Sequence, residues 1–228
     1  MAQKKKERLL TPRGTASFPW VRKPDTKYNA KGDYKCGVTL DKSDDTTQAL
    51  IAKLEGMRDA VVDDISNGRF QWMGETISLK PYQIKELNIH PVYTTLRDDE
   101  TGEPTGMITI NAKQKAIYGK NDEYKANIAV VNSKGQADAT LDVFGGDTIK
   151  MAFTADGFWN AKDQLVGMTL RLSAVQVIES NGMSGTADYG FEDEGDGAIG
   201  APKDEGSFVD ESGDGDGSSP DMNDGGDF

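Results

Sequence analysis

Met107-Ile-Thr-Ile-Asn-Ala-Lys-Gln-Lys-Ala-Ile117 carries the plainest structural signal in the chain. Ile108, Ile110 and Ala112 fall on one side of an extended backbone, and Thr109, Asn111, Lys113 and Lys115 on the other. A period of two with one apolar face is a half-buried strand. Its open face here is polar and cationic. Tyr118 and Lys120 follow at a turn.

The same period recurs on either side. Tyr34-Lys-Cys-Gly-Val-Thr-Leu40 sets Tyr34, Cys36, Val38 and Leu40 against Lys35, Gly37 and Thr39. Ala126-Asn-Ile-Ala-Val-Val131 ends at the turn sequence Asn132-Ser-Lys-Gly135. In Thr148-Ile-Lys-Met-Ala-Phe-Thr154, Ile149, Met151 and Phe153 point in and Lys150 points out. A turn at Ala155-Asp156-Gly157 then projects Phe158 and Trp159. A last strand, Gly167 to Ile178, alternates Met168, Leu170 and Leu172 with Thr169, Arg171 and Ser173.

One helix interrupts the strands. Asp44, Asp45 and Thr46 offer N-caps for residues 46–66, and Asn67-Gly68 gives the stop. Leu50, Leu54, Met57, Val61 and Ile65 form its apolar stripe, widened by Ile51 and Val62. Residues 69–106 carry less signal. A strand-like stretch runs from Leu87 to Tyr93, and a polar loop from Arg97 to Pro104. Five or six strands with one helix make a mainly β domain. A five-stranded Greek-key barrel of the OB type with an inserted helix is the expected class, with a sandwich as the alternative.

Three segments are expected. Residues 1–33 read as a basic, extended arm joining the core, because Pro12, Gly14, Pro19, Pro24 and Gly32 work against long regular elements. Residues 34–182 hold the strands. Residues 183–228 contain fourteen acids and one base, Lys203, for a net charge of −13. The other 182 residues carry 25 bases and 24 acids. All the acidity behind the overall −12 therefore lies in the last segment, where Gly and Ser separate the acids. Such a tail cannot bury enough apolar surface to offset its ordering entropy, so disorder is expected. It ends Asp224-Gly-Gly-Asp-Phe228, an aromatic residue on a polyanion.

Catalysis finds no footing in this pattern. His90 is the only histidine and Cys36 the only cysteine. There is no Gly-rich phosphate loop and no serine elbow. Asp214-Gly-Asp-Gly lacks the sixth-position Gly and twelfth-position Glu of a calcium loop. No enzyme activity, metal or cofactor is expected. A lone cysteine favours a reducing compartment, and no apolar run is long enough to span a membrane. A soluble, cytoplasmic protein is expected.

What remains is a binding surface. Lys35, Lys113, Lys115 and Lys150 sit on strand faces, and Tyr118 and Trp159 near strand ends. In the first 35 residues ten bases face three acids, and Phe18, Trp20 and Tyr28 interleave with Arg13, Arg22, Lys23 and Lys27. Trp20 either stacks on a ligand or anchors the arm to the core. A cationic track with aromatic platforms is the combination that holds single-stranded nucleic acid. A tethered polyanion would compete for that track at high effective concentration. The alternative reading is an acidic-tailed interaction or chaperone module for a basic protein.

The chain resembles the single-stranded DNA-binding replication proteins of short-tailed phages. The likeness lies in Lys23-Pro-Asp25 followed by Gly32-Asp-Tyr-Lys-Cys-Gly-Val-Thr-Leu40 and its helix. It continues through Ala129-Val-Val-Asn-Ser-Lys-Gly135, Gly145-Gly-Asp-Thr-Ile-Lys-Met-Ala-Phe153, Phe158-Trp159 and Gly167 to Glu179, and ends in Gly226-Asp-Phe228. The resemblance implies an OB fold, single-stranded DNA binding in the cytoplasm of an infected bacterium, and roles in replication, recombination and repair. It implies that Phe158, Trp159 and Lys150 touch DNA. It further implies that the tail, with Asp221, Asp224, Asp227 and Phe228, contacts the phage polymerase and helicase-primase. It also raises dimerisation through the tail.

Overall fold

The alternating stretch around Ile110 does form a long strand, and its neighbours follow from it. A computed structural model of the protein describes residues 6–119 and 121–181. In chain order the elements are β1 (Leu9–Leu10), β2 (Gly14–Asp25), β3 (Asp33–Asp41), α1 (Asp45–Ser66), β4 (Gln71–Trp72) and β5 (Glu75–Thr76). Then come α2 (Pro81–Lys85), β6 (Asn88–Ile89), β7 (Thr94–Arg97), β8 (Pro104–Lys115), β9 (Ile117–Tyr118) and β10 (Tyr124–Lys125). The last are β11 (Ala129–Val131), β12 (Thr148–Asn160) and β13 (Leu165–Glu179).

Five long strands carry the architecture: β2, β3, β8, β12 and β13. Hydrogen bonding orders them β13-β12-β2-β3-β8. Ranked by chain position that is 5-4-1-2-3, which contains the 4-1-2-3 arrangement of a Greek key. The two ends of the path, β8 and β13, approach to within 8 Å between Cα atoms. Among the described residues no ladder joins them. The sheet thus curls into an OB barrel with one unladdered seam. The expected helix, α1, is inserted between the second and third of these strands.

Alternation decides which side of each strand is core. Val38, Ile108, Ile110, Ile149, Met151, Phe153 and Val175 are fully buried, with Leu54 of α1 against them. β13 buries Leu170 and Leu172, then Val175 and Val177, a change of phase. The register supplies the reason: Phe153 pairs with Leu172 and Ala152 with Ala174, so Ser173 is an extra residue. A bulge there lets both halves of the strand face inward. Lower on α1, Ile65 packs with Trp159 and Val166 in a second cluster, beside Val61, Phe70 and Trp72.

Two expectations fail for identifiable reasons. Residues 14–25, read as part of an arm without long regular elements, form the 12-residue strand β2. Its prolines do not break it, because the pairing with β3 skips both Ser17–Trp20 and Trp20–Asp25, where Pro19 and Pro24 sit. Ladder positions need an N–H; these positions do not. Second, no turn forms at residues 155–157. β12 runs straight through, and the hairpin turns at residues 161–164. Gly157 serves a close approach instead: a Cβ there would lie 2.5 Å from a methyl of Val61 on α1. Trp159 therefore lies inside the second cluster, 8% exposed, and does not project from a turn.

The segment 69–106 resolves into pieces too short to show a period. A tight hairpin joins β4 and β5 through Met73 and Gly74, both at positive φ. β6 pairs parallel with the start of β13, and β7 pairs antiparallel with the first half of β8.

Two outcomes test this packing. Asp44 caps α1 by accepting from the amides of Thr46 and Thr47. The Thr46 hydroxyl, with these amides, holds its carboxyl below the usual range. A carboxylate of lowered pKa contributes stability above its unfolded value, about 3.9, and loses it as pH falls through the folded value. Asp44→Ala should therefore lower the thermal midpoint at pH 7, with the deficit shrinking below about pH 3.9, by circular dichroism. Burial also pushes the Cys36 thiol up to about 12. An aromatic disulfide reagent at pH 8 should leave Cys36 unmodified until denaturant is added, and rapid labelling of native protein would contradict the packing.

Candidate nucleic-acid interface

The seam between β8 and β13 is where polar chemistry collects. β7 covers one half of β8, up to Thr109. β6 covers the first two residues of β13, and β11 covers Ala174 to Gln176. Between these covers, residues 111–115 of β8 and 168–173 of β13 line two adjoining hollows. The first, about 680 Å3, is lined by Phe18, Lys35, Gly37, Asn111, Lys113 and Phe158 among others. The second, about 630 Å3, continues along the same strands with Lys115, Tyr118, Lys125 and Arg171.

Register explains how these side chains meet. Directly paired residues on neighbouring strands share a face. Trp20 pairs with Lys35 and Lys35 with Lys113, which makes one row across three strands. Ser17, Gly37 and Asn111 make the next row. Beyond it lies a row of four threonines, Thr15, Thr39, Thr109 and Thr94. Gly37 keeps the floor of the hollow low: a Cβ there would sit 2.7 Å from Oδ1 of Asn111.

The cations differ in availability. Lys35 is held by Asp25 at 2.5 Å, and its Nζ lies 5.9 Å from the centre of the Trp20 ring. The Lys35 hydrogen bond, then the Lys27 amide, lowers the Asp25 carboxyl below its ordinary range. Arg171 is paired with Asp156 at 2.7 Å, and Lys6 also reaches Asp156. Burial raises the Asp156 carboxyl, but the hydrogen bonds from Lys6 and Arg171 outweigh it, and the net shift is downward. Among the described residues Lys113, Lys115 and Lys125 have no acidic partner.

Aromatic rings border the track. Phe18 is 84% exposed and Trp20 45%. Tyr118 stacks on Tyr124 across the β9–β10 hairpin, with ring centres 5.4 Å apart. Phe158 meets His90 edge-on at 6.0 Å. Gly167 makes that possible, since a Cβ there would lie 2.6 Å from the His90 Cβ and 2.8 Å from the Phe158 ring.

Of the expected site residues, the structure gathers Lys35, Lys113, Lys115, Tyr118 and Phe158 along the seam, with Trp20 at the β2 end of the row that holds Lys35 and Lys113. Others stand elsewhere. The Arg22 guanidinium donates to the carbonyls of Asp138 and Leu141, so it ties down the loop before β12. Lys23 is exposed further along β2 and lines neither hollow. Lys150 borders a separate shallow hollow with Arg13 and Asp44. Trp159 is core, as described. Asp221, Asp224, Asp227 and Phe228 lie outside the described residues.

Phe18, one of the arm aromatics interleaved with cations, lines the first hollow, and His90 and Asn111 join it there without having been expected as site residues. Asn111 shares the polar face of its strand with Lys113, which was a usable signal. His90 reaches the seam because β6, inside the strand-like stretch Leu87 to Tyr93, pairs with β13, and the sequence pattern does not name that partner.

No family model and no curated protein matches the chain by sequence. Solved structures do match. The gp2.5 single-stranded DNA-binding protein encoded by bacteriophage T7 aligns over 80% of this chain and 98% of its own, with a TM-score of 0.56 and 20% identity. The single-stranded DNA-binding protein of bacteriophage Enc34, solved in complex with ssDNA, aligns over 76% of this chain and 87% of its own, with a TM-score of 0.52 and 13% identity. The strand order, the open seam and these likenesses agree: this chain has the OB fold carried by phage single-stranded DNA-binding proteins.

Proposed function

We propose that the protein binds single-stranded DNA along the β8–β13 seam, coating it without strong sequence preference. The observation that carries this reading is the seam itself. Two facing strand edges are left open, cations without acidic partners stand along them, and aromatic rings stand at the rim. Phosphates suit the lysines, and unpaired bases offer faces to the rings. Base edges need not be read, which fits a protein that accepts any strand. Duplex DNA hides its base faces and gains only the charge contacts.

The acidic tail fits the same scheme as a competitor. Residues 183–228 carry the charge sign of the nucleic acid and are tethered to the domain that binds it. Occupancy of the seam by a strand then frees the tail, with Asp221, Asp224, Asp227 and Phe228, for the phage polymerase and helicase-primase. Single-strand annealing, recombination, repair, dimerisation through the tail and residence in the cytoplasm of an infected bacterium belong to this reading. No helix among the described residues is long and apolar enough to cross a membrane.

Two titrations test it. Oligo-dT should bind more tightly than duplex of equal length, and Lys113→Ala should reduce the slope of log affinity against log salt by about 0.7, the share of one single-strand phosphate contact. An unchanged slope removes Lys113 from the track. A chain ending at Gly182 should bind oligo-dT more tightly than the intact chain at low salt, and equal affinities would reject competition by the tail.

A further inference from the structure

Phe18 stands where regular geometry would not put it. Strict alternation from the buried Ala16 carries Phe18 and Trp20 to the core side and Val21 to solvent. The structure has the reverse: Phe18 and Trp20 are exposed, and Val21 is buried. The register gives the cause. Ser17 pairs with Gly37 and Trp20 with Lys35, so Phe18 and Pro19 together oppose the single residue Cys36. One extra residue makes a bulge, and past a bulge every side chain changes face. Pro19 fits there because the bulge asks for no ladder donor.

The bulge is costly at this residue. Phe18 has φ +46°, a region that favours glycine and is an outlier for a bulky side chain. The chain also forgoes burial of two large rings. The fold recovers part of this by burying Val21 and by setting Trp20 beside the Lys35 ammonium, but Phe18 itself stays 84% exposed. Phe18 lines the same hollow as Lys35, Lys113 and Asn111, and Trp20 shares the row of the two lysines.

We infer that the Phe18 bulge presents a flat apolar ring for stacking by one unpaired nucleobase, at the expense of fold stability. This rests on the reading of the seam as a single-strand track. It adds a residue to that track whose contribution is independent of salt and of base identity. A ring without hydrogen-bonding groups offers every base the same face. The lysines beside it hold phosphate, which every strand has whether or not it carries bases. Loss of the base and loss of the ring should therefore be equivalent.

The experiment uses the full chain and two strands of equal length, oligo-dT and an abasic strand with the same phosphates. Phe18→Gly removes the ring and relieves the backbone, because glycine enters positive φ freely. It should weaken oligo-dT binding roughly 5- to 150-fold, the range of one stacked base. It should leave abasic-strand binding unchanged and leave the thermal midpoint the same or higher. Phe18→Tyr should retain tight oligo-dT binding. Equal oligo-dT affinity for wild type and Phe18→Gly overturns the inference. So does a thermal midpoint several degrees lower, which would make Phe18 a packing residue. If wild-type protein ignores both strands, the single-strand reading itself falls, a result distinct from either of these.

Discussion

A barrel that stops short of closing is the constraint on which the rest depends. Extended backbone leaves a row of donors and acceptors along any unpaired edge, and such rows invite unwanted pairing. β7 occupies one half of β8, and β6 and β11 occupy two parts of β13. The remaining edges face each other across a gap instead of joining. Lysines at 113 and 115 and the Ser173 bulge guard them, as charges and bulges guard edges elsewhere. The same devices that discourage another strand make the gap hospitable to a polyanion. On the proposed reading, function grows out of an incomplete ladder, and the absence of a side chain at Gly37 keeps the gap from filling.

α1 stabilises the gap from behind. Its upper turns enter the main core through Leu50, Ile51 and Leu54, and its lower turns build the second cluster with Trp159 and Val166. That second cluster sits under the start of β13, where Gly167 lets Phe158 and His90 come together. One lip of the site is thus set by apolar packing behind it. The other lip, on β3 and β8, is set by cross-strand register alone. The two lips therefore rest on different physics, one on volume and one on backbone hydrogen bonds.

Regular elements were readable in the sequence and irregular ones were not. Ile108 to Lys115, Tyr34 to Leu40 and Ile149 to Phe153 obey a strict period, and the stripe from Leu50 to Ile65 obeys another. Each appeared as expected, and with them the inserted helix, whereas β2 took a place that the reading of residues 1–33 as an arm had left empty, and only Ala129–Val131 of the expected strand 126–131 formed. The candidate site was legible where it rides on those elements, as at Lys113 and Lys115, which line its two hollows. It was illegible where a bulge or a pairing of two residues decides the outcome. Ser17-Phe-Pro-Trp20 changes phase inside one strand, so counting by twos fails there. Gly157 reads as a turn because glycine usually marks one, yet its role is to let a helix come near. Trp159, next along, inherits that misreading. Lys150 has the expected alternation but borders another hollow, because alternation fixes the face of a strand and not which neighbours share it.

Arg22 shows how a cation can be removed from the surface inventory. Its guanidinium already saturates two backbone carbonyls, at Asp138 and Leu141. A planar fork reaches both from one fixed geometry, whereas an ammonium offers three donors on a freely rotating head. The approach to β12 is therefore riveted to the strand that carries the Phe18 bulge. Reagents that seek guanidinium groups should find this one occupied. Any chemistry that stripped its charge would unfasten a loop before it changed a surface potential.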